Sequence, residues 1–509
     1  MNLVMVLEMA AECHRERTAV SSGSGRLSYG ELLEAAQTAA ADIRASGCRY
    51  VAVLDINSLA VPIAVFAAAY AGLPYVPLNY RLTRPELAEL LARIDPAYLI
   101  GEETKLRSFA VPSTTRIVDR AHFLELARRP PAESAQASGD ADDIAIQLFT
   151  SGTTGKPKAA VLRHENLMSY ILGTVEFGAA AEDDAVLISV PPYHIAGISA
   201  VLSSTYACRR MVQLPNFDAA GWLAHCRTEG VSNAFLVPTM LSRIVDHLEA
   251  TGTAPELPQL RAIAYGGGKM PHSVIERAMQ LLPGVDFTNA YGLTETSSTI
   301  CLLDPGDHRA AAESTDPLVR RRLGSVGRPI NGIELEIRDD DGHVLGPDQT
   351  GDVYVRGAQV SGEYLGAGST LVAGGWFPTR DRGHLDAGGY LYLEGRADDV
   401  IVRGGENISP GEIEDVLAEH PAVADVAVVA IPDEQWGEAV GAAVVLKDSA
   451  QATAEALQDW VKQRLRSSRV PAAIQFRDDL PYNEMGKLLR RVIKQELQDG
   501  QAATKTRTR

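Results

Sequence analysis

Hydrophobic and polar positions along the first 330 residues predict strands that are each followed by a helix. Residues 27–47 (LSYGELLEAAQTAAADIRASG) have the spacing of an amphipathic helix that ends at Gly47, and YVAVLDI follows as a buried strand. The segments AVLISVPPYH, VSNAFLVPTM and LRAIAYGGG each precede another helical pattern. This alternation predicts an α/β protein with parallel sheets and helices on both faces.

After Gly332 the pattern changes to short strands with Gly and Asp turns. IELEIRD, GDVYVRG and GYLYLEG alternate with period two, which predicts a small β-barrel or an antiparallel sheet. The sequence GRADD is followed by a unit of roughly a hundred residues, a usual size for a small domain. Its helix SPGEIEDVLAEH is expected to begin at Ser409, with Glu412 completing a capping box.

Composition narrows the class of protein. A chain of 509 residues is too long for one core, so at least two domains are expected. The five scattered cysteines suit a reducing cytoplasm and argue against a zinc site. No apolar run is long enough for a membrane span, and we expect no signal peptide. The net charge of −17 disfavours a nucleic-acid partner, so any polyanionic ligand must meet local lysines and backbone amides.

One loop has the residues of a phosphate site. FTSGTTGKPKAAVLRH, residues 149–164, follows the predicted strand IAIQLFT and is rich in glycine, hydroxyl and lysine residues. It is not the common P-loop, because Gly155-Lys156 is followed by Pro157 and Thr150 stands where the first glycine is required. Backbone N–H groups and hydroxyls in such a loop point at an anion. A structural Gly/Thr turn is the alternative.

Other candidate residues lie at predicted strand ends. Thr294 and Glu295 follow the strand VDFTNAY, where a hydroxyl beside a carboxylate suits magnesium and a phosphate oxygen; a solvated glutamate is the alternative. Asp381 and Arg396 could supply a carboxylate for ribose hydroxyls and a cation for a nucleotide. Lys487 follows Gly486, where a mobile loop could carry positive charge to a reacting centre.

Together these stretches resemble the superfamily of acyl-CoA synthetases, adenylation domains and firefly-type luciferases. The motifs that match, in the expected order over nearly the whole chain, are TSGTTGKPK, PPYHIAG, YGGG, YGLTET, GRADD, GGENISPGEIE and the closing GK. The resemblance implies an N-terminal AMP-binding domain over residues 1–396, made of two parallel-sheet α/β subdomains plus a small β-barrel. It also implies a small mobile α+β lid domain over residues 397–509, with a hinge near residue 398.

The resemblance implies a reaction in two steps, with ATP, Mg²⁺ and the co-substrate CoA. The carboxylate of a small-molecule acid attacks the α-phosphate of ATP, and pyrophosphate leaves. The CoA thiol then attacks the mixed anhydride. Magnesium and lysine charge offset the repulsion of the first step. Two steps with different charge requirements explain a domain that rotates between them.

The resemblance also assigns roles to individual residues. The catalytic residues are Lys487, Thr294, Glu295 (also the metal ligand) and His194. The residues around the phosphates are Thr150, Ser151, Gly152, Thr153, Thr154, Gly155 and Lys158. Those around the adenine and acyl sites are Gly266, Gly267, Gly268, Asn289, Ala290, Tyr291 and Gly292. The ribose residues are Asp381 and Arg396, the hinge is Asp398, and the pantetheine tunnel is lined by Gly404 and Gly405.

One residue departs from the family pattern. The ribose motif commonly reads Thr-Gly-Asp, but here Arg380 stands where glycine is typical. Its side chain either points to solvent or alters the nucleotide pocket.

The substrate class is inferred from few residues. Amino-acid-activating relatives place an aspartate where this chain has His194, so an amino acid is disfavoured; a packed core histidine is the alternative. Gly197 and Gly266 to Gly268 are expected to leave a roomy pocket, with Val237, Met240 and Ile300 as apolar walls. We therefore expect a hydrophobic acid, with a medium or long chain or a bulky aryl or polycyclic group.

Three functions remain open at this point. The first is an AMP-forming acyl-CoA ligase, acting as a monomer or homodimer in the cytoplasm. The second is an acyl-AMP ligase that loads the phosphopantetheine arm of an acyl carrier protein. The third is a degenerate nucleotide-binding scaffold, which retention of Glu295, Asp381 and Lys487 disfavours.

Overall fold

The computed structural model describes residues 1–23, 25–130, 139–150, 157–252, 256–396, 399–433, 435–483 and 488–507. The chain divides into a first unit, residues 1–335 with 355–377, and a second unit, residues 336–354 with 378–509. Residues 336–354 and 378–396, which the resemblance assigns to the N-terminal domain, group here with the C-terminal residues. The boundary predicted at residue 396 separates domains that are expected to move relative to each other, whereas the two units are defined by how the chain packs. The boundary at residue 396 therefore stays a prediction.

The helices and strands alternate as the sequence pattern predicts over most of the first unit. The helices are α1 (Val4–Cys13), α2 (Tyr29–Ala45), α3 (Ala60–Ala71), α4 (Arg84–Arg93), α5 (Glu103–Leu106), α6 (Arg120–Ala127), α7 (His164–Thr174), α8 (Ile195–Tyr206), α9 (Ala219–Thr228), α10 (Pro238–Thr251), α11 (His272–Leu281), α12 (Pro305–Glu313), α13 (Pro317–Arg320), α14 (Pro410–Ala418), α15 (Ala454–Lys462) and α16 (Arg490–Arg507). The strands are β1 (Thr18–Ser22), β2 (Gly25–Ser28), β3 (Tyr50–Leu54), β4 (Tyr75–Pro77), β5 (Ala97–Gly101), β6 (Arg116–Asp119), β7 (Ile144–Thr150), β8 (Lys158–Arg163), β9 (Ala185–Ile188), β10 (Arg210–Gln213), β11 (Asn233–Leu236), β12 (Ala262–Gly266), β13 (Asp286–Leu293), β14 (Ser298–Leu303), β15 (Arg328–Pro329), β16 (Glu334–Arg338), β17 (Gly351–Arg356), β18 (Glu363–Tyr364), β19 (Gly368–Ser369), β20 (Phe377–Leu385), β21 (Leu391–Arg396), β22 (Ile401–Arg403), β23 (Glu406–Ile408), β24 (Val423–Asp433), β25 (Gly437–Leu446) and β26 (Ala473–Arg477).

The first unit contains two mixed sheets in its described part. One has the strand order β15-β14-β13-β12-β11-β9-β10-β1-β2, and the other β19-β18-β8-β7-β4-β3-β5-β6. The pairs β9–β10, β11–β12 and β12–β13 are parallel, as are β3–β4 and β3–β5. The prediction of two α/β subdomains built on parallel sheets is therefore confirmed.

Helices α2 and α3 show how the sequence pattern leads to the core of the first unit. Ser28 accepts a hydrogen bond from the backbone N–H of Glu31, whose side chain accepts one from the N–H of Ser28. This capping box fixes the start of α2. Every residue of α3 is buried, because the helix is apolar on all sides and packs within the core.

The second unit contains the remaining strands. Strands β16, β17, β20 and β21 form one sheet in that order, where the sequence predicts a small barrel or an antiparallel sheet. The second sheet has the order β23-β22-β25-β24, and β26 pairs in parallel with β25. Helix α14 buries Ile413 and Leu417 against this sheet, in the same core as Val428.

The predicted capping box at Ser409 is wrong. Ser409 is the N-cap residue of α14, but its side chain caps no helical N–H group. Its hydroxyl instead donates to the carbonyl of Glu394 at 2.6 Å. Gly411 allows this close approach, because a Cβ there would lie 2.6 Å from the same carbonyl oxygen. Among the helices of the described ranges, none has the length and apolarity needed to cross a membrane.

Candidate active site

The ends of β12 and β13 lie side by side in the first unit. Gly266, the last residue of β12, pairs with Ala290, and a Cβ on Gly266 would lie 2.1 Å from the carbonyl oxygen of Ala290. Strand β13 continues into a short 3₁₀ turn, Thr294–Thr296, which carries Thr294 and Glu295. The carboxyl ends of parallel strands are where ligands bind in open α/β sheets.

Glu295 is held by the segment that contains β18. Its residue is 9% exposed, and its carbonyl accepts hydrogen bonds from the N–H groups of Ser361 (2.9 Å) and Gly362 (3.3 Å). The hydroxyl of Tyr364 donates to Oε1 of Glu295 at 2.5 Å. These contacts fix both the backbone and one oxygen of the carboxylate. A buried carboxylate held in this way has the donor chemistry that magnesium requires.

Lys158 lies over the ring of Tyr364. Its Nζ is 5.4 Å from the centre of the Tyr364 ring, within cation–π distance. Strand β18 pairs with β8, which places this ring between the start of β8 and the turn after β13. The structure therefore brings Lys158 and Glu295, 137 positions apart in the sequence, to one tyrosine.

The phosphate loop begins and ends in the hairpin of β7 and β8. Thr150, the last residue of β7, pairs with Lys158, the first residue of β8. The other predicted loop residues, Ser151, Gly152, Thr153, Thr154 and Gly155, lie outside the described residues, as do Asp398 and Lys487.

Other predicted residues of β13 and its neighbours have structural contacts of their own. The side-chain amide of Asn289 donates to the carbonyl of Ser325 at 3.1 Å, and Tyr291 is buried. A Cβ on Gly292 would lie 1.8 Å from the carbonyl oxygen of Ser298. Gly267 has a φ of +83°, which favours glycine, and Gly268 is exposed.

His194 lies at the start of α8. Its ring is 4.4 Å from that of Tyr193, and its Nε2 atom is buried with no hydrogen-bond partner among the described residues. Burial, and to a smaller extent the charge of Arg81, lower the pKa of His194 to about 3. The imidazole is therefore neutral at physiological pH.

The expectation that Gly197 and Gly266 leave a roomy pocket is wrong. A Cβ on Gly197 would lie 2.8 Å from the carbonyl oxygen of Pro191, and a Cβ on Gly266 would clash with Ala290. These glycines allow two backbone segments to approach each other. Val237, Met240 and Ile300 are buried, as apolar walls would be.

Asp381 and Arg396 meet in the second unit. They pair across β20 and β21, and Nε of Arg396 is 2.9 Å from Oδ1 of Asp381. Asp381 is 7% exposed, and its N–H donates to the hydroxyl of Thr379 at 3.1 Å. The two predicted ribose residues thus lie together, oriented by an ion pair.

Comparison with known proteins agrees with this arrangement. A family model described as "AMP-binding enzyme" matches residues 7–365, and a second, "AMP-binding enzyme C-terminal domain", matches residues 412–487. The chain belongs to the AMP-binding enzyme family.

Curated relatives of this AMP-binding enzyme are CoA ligases. The 2-succinylbenzoate–CoA ligase of Bacillus mycoides (strain KBAB4) is 32% identical over 491 residues, covering 95% of this chain and 96% of that protein. The indoleacetate–CoA ligase of Aromatoleum aromaticum is 32% identical, covering 94% and 95%. Accordingly, this chain is an AMP-forming acyl-CoA ligase that uses ATP and CoA.

A solved structure supports the fold assignment. The o-succinylbenzoate CoA synthetase of Bacillus subtilis, in complex with the acyl-adenylate intermediate OSB-AMP, is 30% identical. The match covers 96% of this chain and 97% of that one, with a TM-score of 0.81. The adenylate-forming fold predicted from the motifs is confirmed.

The turn between β22 and β23 carries the two glycines assigned to the pantetheine tunnel in this AMP-binding enzyme. Gly404 and Gly405 have φ values of +58° and +84°. The N–H of Gly404 donates to the carbonyl of Trp436 at 2.8 Å, and a Cβ there would lie 2.6 Å from the indole ring. Arg403 lies over the same ring at 5.4 Å.

The unusual Arg380 of this AMP-binding enzyme adopts the backbone conformation that glycine favours. Its φ is +63°, which costs a side-chain-bearing residue about 1 kcal/mol or more. The residue is exposed, as the first of the two alternatives requires. Glycine at this position would relieve the strain.

Two residues that contact predicted site residues were not identified from the sequence. Tyr364 contacts both Glu295 and Lys158, and Trp436 packs against Gly404. Neither lies in a pattern with chemical meaning: Tyr364 sits in GEYLG and Trp436 in DEQWGE. An aromatic residue between glycines near a strand pair is the one feature that could have drawn attention to Tyr364.

Proposed function

We propose that this ligase activates a hydrophobic carboxylic acid, with an aryl acid as the first choice. The observation that carries the proposal is the pair of relatives named above. Both match nearly the full chain, and both are named for acids that contain an aromatic ring. The buried residues Val237, Met240 and Ile300 support an apolar acyl group. The neutral His194 adds no charge that would attract an amino acid's ammonium group.

The contacts in the first unit support the proposed roles of Glu295 and Lys158. Glu295 would hold magnesium, because its carboxylate is buried and one of its oxygens is fixed by Tyr364. Magnesium would supply positive charge beside the phosphates. Lys158, over the ring of the same tyrosine, would add a second positive charge.

In the proposed first step the acid's carboxylate oxygen attacks the α-phosphorus of ATP, and the bond to the bridging oxygen of pyrophosphate breaks. Thr294 would donate to the α-phosphate, and Asp381 would accept from the ribose hydroxyls, with Arg396 orienting its carboxylate. In the second step the CoA thiolate attacks the acyl carbon and AMP leaves. The turn with Gly404 and Gly405 would line the pantetheine tunnel, with Gly404 packed against the ring of Trp436.

The test is pyrophosphate release with a panel of acids. The panel contains 2-succinylbenzoate, indoleacetate, a cinnamate, a medium-chain and a long-chain fatty acid, and one amino acid. Each is measured with and without CoA, and the thioester is identified by mass. We expect an aryl acid to give the highest kcat/KM and CoA to be consumed.

Other results would change the proposal in defined ways. Preference for a fatty acid would overturn the aryl class but keep the ligase. Release of pyrophosphate without formation of acyl-CoA would favour carrier loading, if a phosphopantetheine-bearing carrier protein then accepts the acyl group as a thioester. Activity without added magnesium, in the presence of a chelator, would contradict the role of Glu295.

A further inference from the structure

Arg490, the first residue of α16, joins several elements of the second unit. Its Nη2 donates to Oε2 of Glu414 at 2.8 Å, and its Nη1 donates to Oε1 of Glu414 and to the carbonyl of Val428. Its Nε is 3.5 Å from Oδ2 of Asp399. The forked guanidinium thus contacts α14, β24 and the chain next to the predicted hinge.

The partner carboxylate is itself fixed. Glu414 is 8% exposed, and its Oε1 also accepts a hydrogen bond from the N–H of Val428 at 2.7 Å. A bidentate arginine–carboxylate pair that is also bonded to backbone has a defined orientation as well as strength. The start of α16 therefore has one position relative to α14 and β24.

The chain on the other side of residues 484–487 is tied to the same strand. The hydroxyl of Tyr482 donates to Oδ2 of Asp425 at 2.8 Å, and Asp425 lies on β24, three positions before Val428. Tyr482 forms an antiparallel bridge with Leu488, and the N–H of Leu489 donates to the carbonyl of Pro481 at 2.8 Å. Both flanks of residues 484–487 are thus paired with each other and anchored to β24.

These anchors lie next to two residues with predicted roles. Lys487 precedes the bridge residue Leu488, and Asp398 precedes Asp399. The contact between Arg490 and Asp399 therefore connects the chain just after the predicted hinge to the chain just after the predicted adenylation lysine. This connection constrains the described chain on the C-terminal side of the lysine.

We propose that Arg490, assisted by Tyr482, is a positioning residue for adenylation that keeps Lys487 aligned with the α-phosphate. The inference rests on the proposed function, in which Lys487 acts only in the first step. A displacement of about 1 Å can cost about 10²-fold in rate when the misplaced group acts in the transition state. Loss of the arginine fork should therefore affect adenylation and leave the thioester step alone.

A purely structural role would give a different result. Removing Arg490 leaves Glu414 without its buried partner, which could lower the stability of the whole unit. Such a loss would reduce both half-reactions in proportion to the folded fraction. The two half-reactions, measured separately on folded protein, distinguish the roles.

The experiment compares Arg490→Met, Arg490→Lys and Tyr482→Phe with Arg491→Met, a control at the exposed neighbouring residue. Adenylation is measured as pyrophosphate release with the best acid of the panel. The thioester step is measured with the synthetic acyl-adenylate of that acid and CoA, and folding by thermal unfolding. Lys487→Ala is run in the same assays.

We expect Arg490→Met to lower the kcat of adenylation about 10- to 100-fold, with the KM for ATP and the thioester rate within about twofold of the control. Arg490→Lys and Tyr482→Phe should show smaller losses in the same step. If Arg490→Met does not fold, the rates of the two half-reactions in Tyr482→Phe decide between the positioning role and the purely structural role.

Equal losses in both steps, or adenylation at the rate of the Arg491→Met control in a folded variant, would overturn the proposal. Normal adenylation by Lys487→Ala would instead refute the role of the lysine. Loss in Lys487→Ala with none in the Arg490 and Tyr482 variants would overturn the positioning role alone.

Discussion

At the scale of single residues, Glu295 shows how a buried carboxylate is prepared for a metal. A tyrosine hydroxyl holds one oxygen, and backbone amides hold the turn, so little movement is required when a cation binds. Tyr364 is 69 positions away in the sequence, and no local pattern links it to Glu295. The sequence could therefore predict the carboxylate, but not the group that orients it.

We predict that Glu295→Gln lowers adenylation about 10²- to 10³-fold, because a neutral amide lacks the negative charge that balances a divalent cation. Pyrophosphate release at saturating magnesium measures the loss. Glu165→Gln, at an exposed glutamate, is the control and should be unaffected. Unchanged release in Glu295→Gln would reject the metal assignment.

His194 predicts a dependence of stability on pH. The unfolded chain binds a proton at this residue near the ordinary pKa of 6.5, whereas the folded pKa is about 3 because of burial. The unfolded state therefore gains protons first as the pH falls. Stability present above pH 6.5 is lost progressively towards pH 3, by about 2 kcal/mol from this residue at pH 5.

The variant His194→Gln should lose less stability than the wild type between pH 7 and pH 5. Urea unfolding at both pH values measures the difference, and His122→Gln at an exposed position is the control. The comparison is needed because burial also lowers the pKa of His164, to about 4, and adds an effect of the same sign. Parallel pH profiles for His194→Gln and wild type would contradict the prediction.

At the scale of elements, hydrophobic period and composition predicted where the strands lie. They did not predict the contacts between elements. The segment IAIQLFT matches β7 residue for residue, because a buried apolar run before a Gly-rich loop has few alternatives. The capping box at Ser409 failed because the serine hydroxyl found a carbonyl of another strand, Glu394 on β21. Such a competing partner comes from tertiary packing, which local sequence does not contain.

The glycines illustrate the same limit. The sequence pattern predicts space for a substrate at Gly197 and Gly266. Gly197 instead allows close contact with the backbone of Pro191, six positions earlier, and Gly266 with the backbone of the neighbouring strand. Glycine in a sequence indicates that a side chain is excluded, but not whether a ligand or the protein itself fills the place. Only the three-dimensional structure distinguishes these cases.

The turn between β22 and β23 provides a prediction at this scale. A Cβ at Gly404 would lie 2.6 Å from the Trp436 ring, and the φ of +58° strains any other residue. If this turn lines the pantetheine tunnel, Gly404→Ala should slow thioester formation from acyl-adenylate about 10-fold or more, because the ring must move. Adenylation should be unchanged.

The control for Gly404→Ala is Gly389→Ala. Gly389 has a φ of +79° but open space around its Cβ position, so it shares the backbone strain without the displaced ring. It lies in the turn between β20 and β21 of the same unit. An equal effect of both variants, or a loss in adenylation alone, would remove the turn from the thioester step.

At the scale of the whole molecule, the predicted residues are divided between two units. Thr294, Glu295 and Lys158 belong to the first unit, whereas Asp381 and Arg396 belong to the second. Lys487 and the predicted hinge residue Asp398 also fall in the stretch of sequence assigned to the second unit. A reaction that needs all of them depends on both units. The motifs did not predict this division, because the resemblance assigns Asp381 and Arg396 to the N-terminal domain together with Thr294 and Glu295.

Lys487 provides the prediction that tests the two-step scheme as a whole. Its ammonium would stabilise negative charge shared between the acid's carboxylate and the α-phosphate, and loss of one such donor typically costs about 2.7–4 kcal/mol, or about 10²–10³ in rate. Lys487→Ala should therefore nearly abolish pyrophosphate release from acid and ATP. Given synthetic acyl-adenylate and CoA, the same variant should form thioester at close to the wild-type rate.

The control for this prediction is Lys447→Ala, at an exposed lysine in the second unit, which removes the same charge from the surface. Both half-reactions should stay intact in that variant. If both fell together in folded Lys487→Ala, a single site would serve both steps, and the domain rotation inferred from the motifs would be wrong. If neither fell, Lys487 would be a surface residue and another cation would have to neutralise the attacking carboxylate and the α-phosphate.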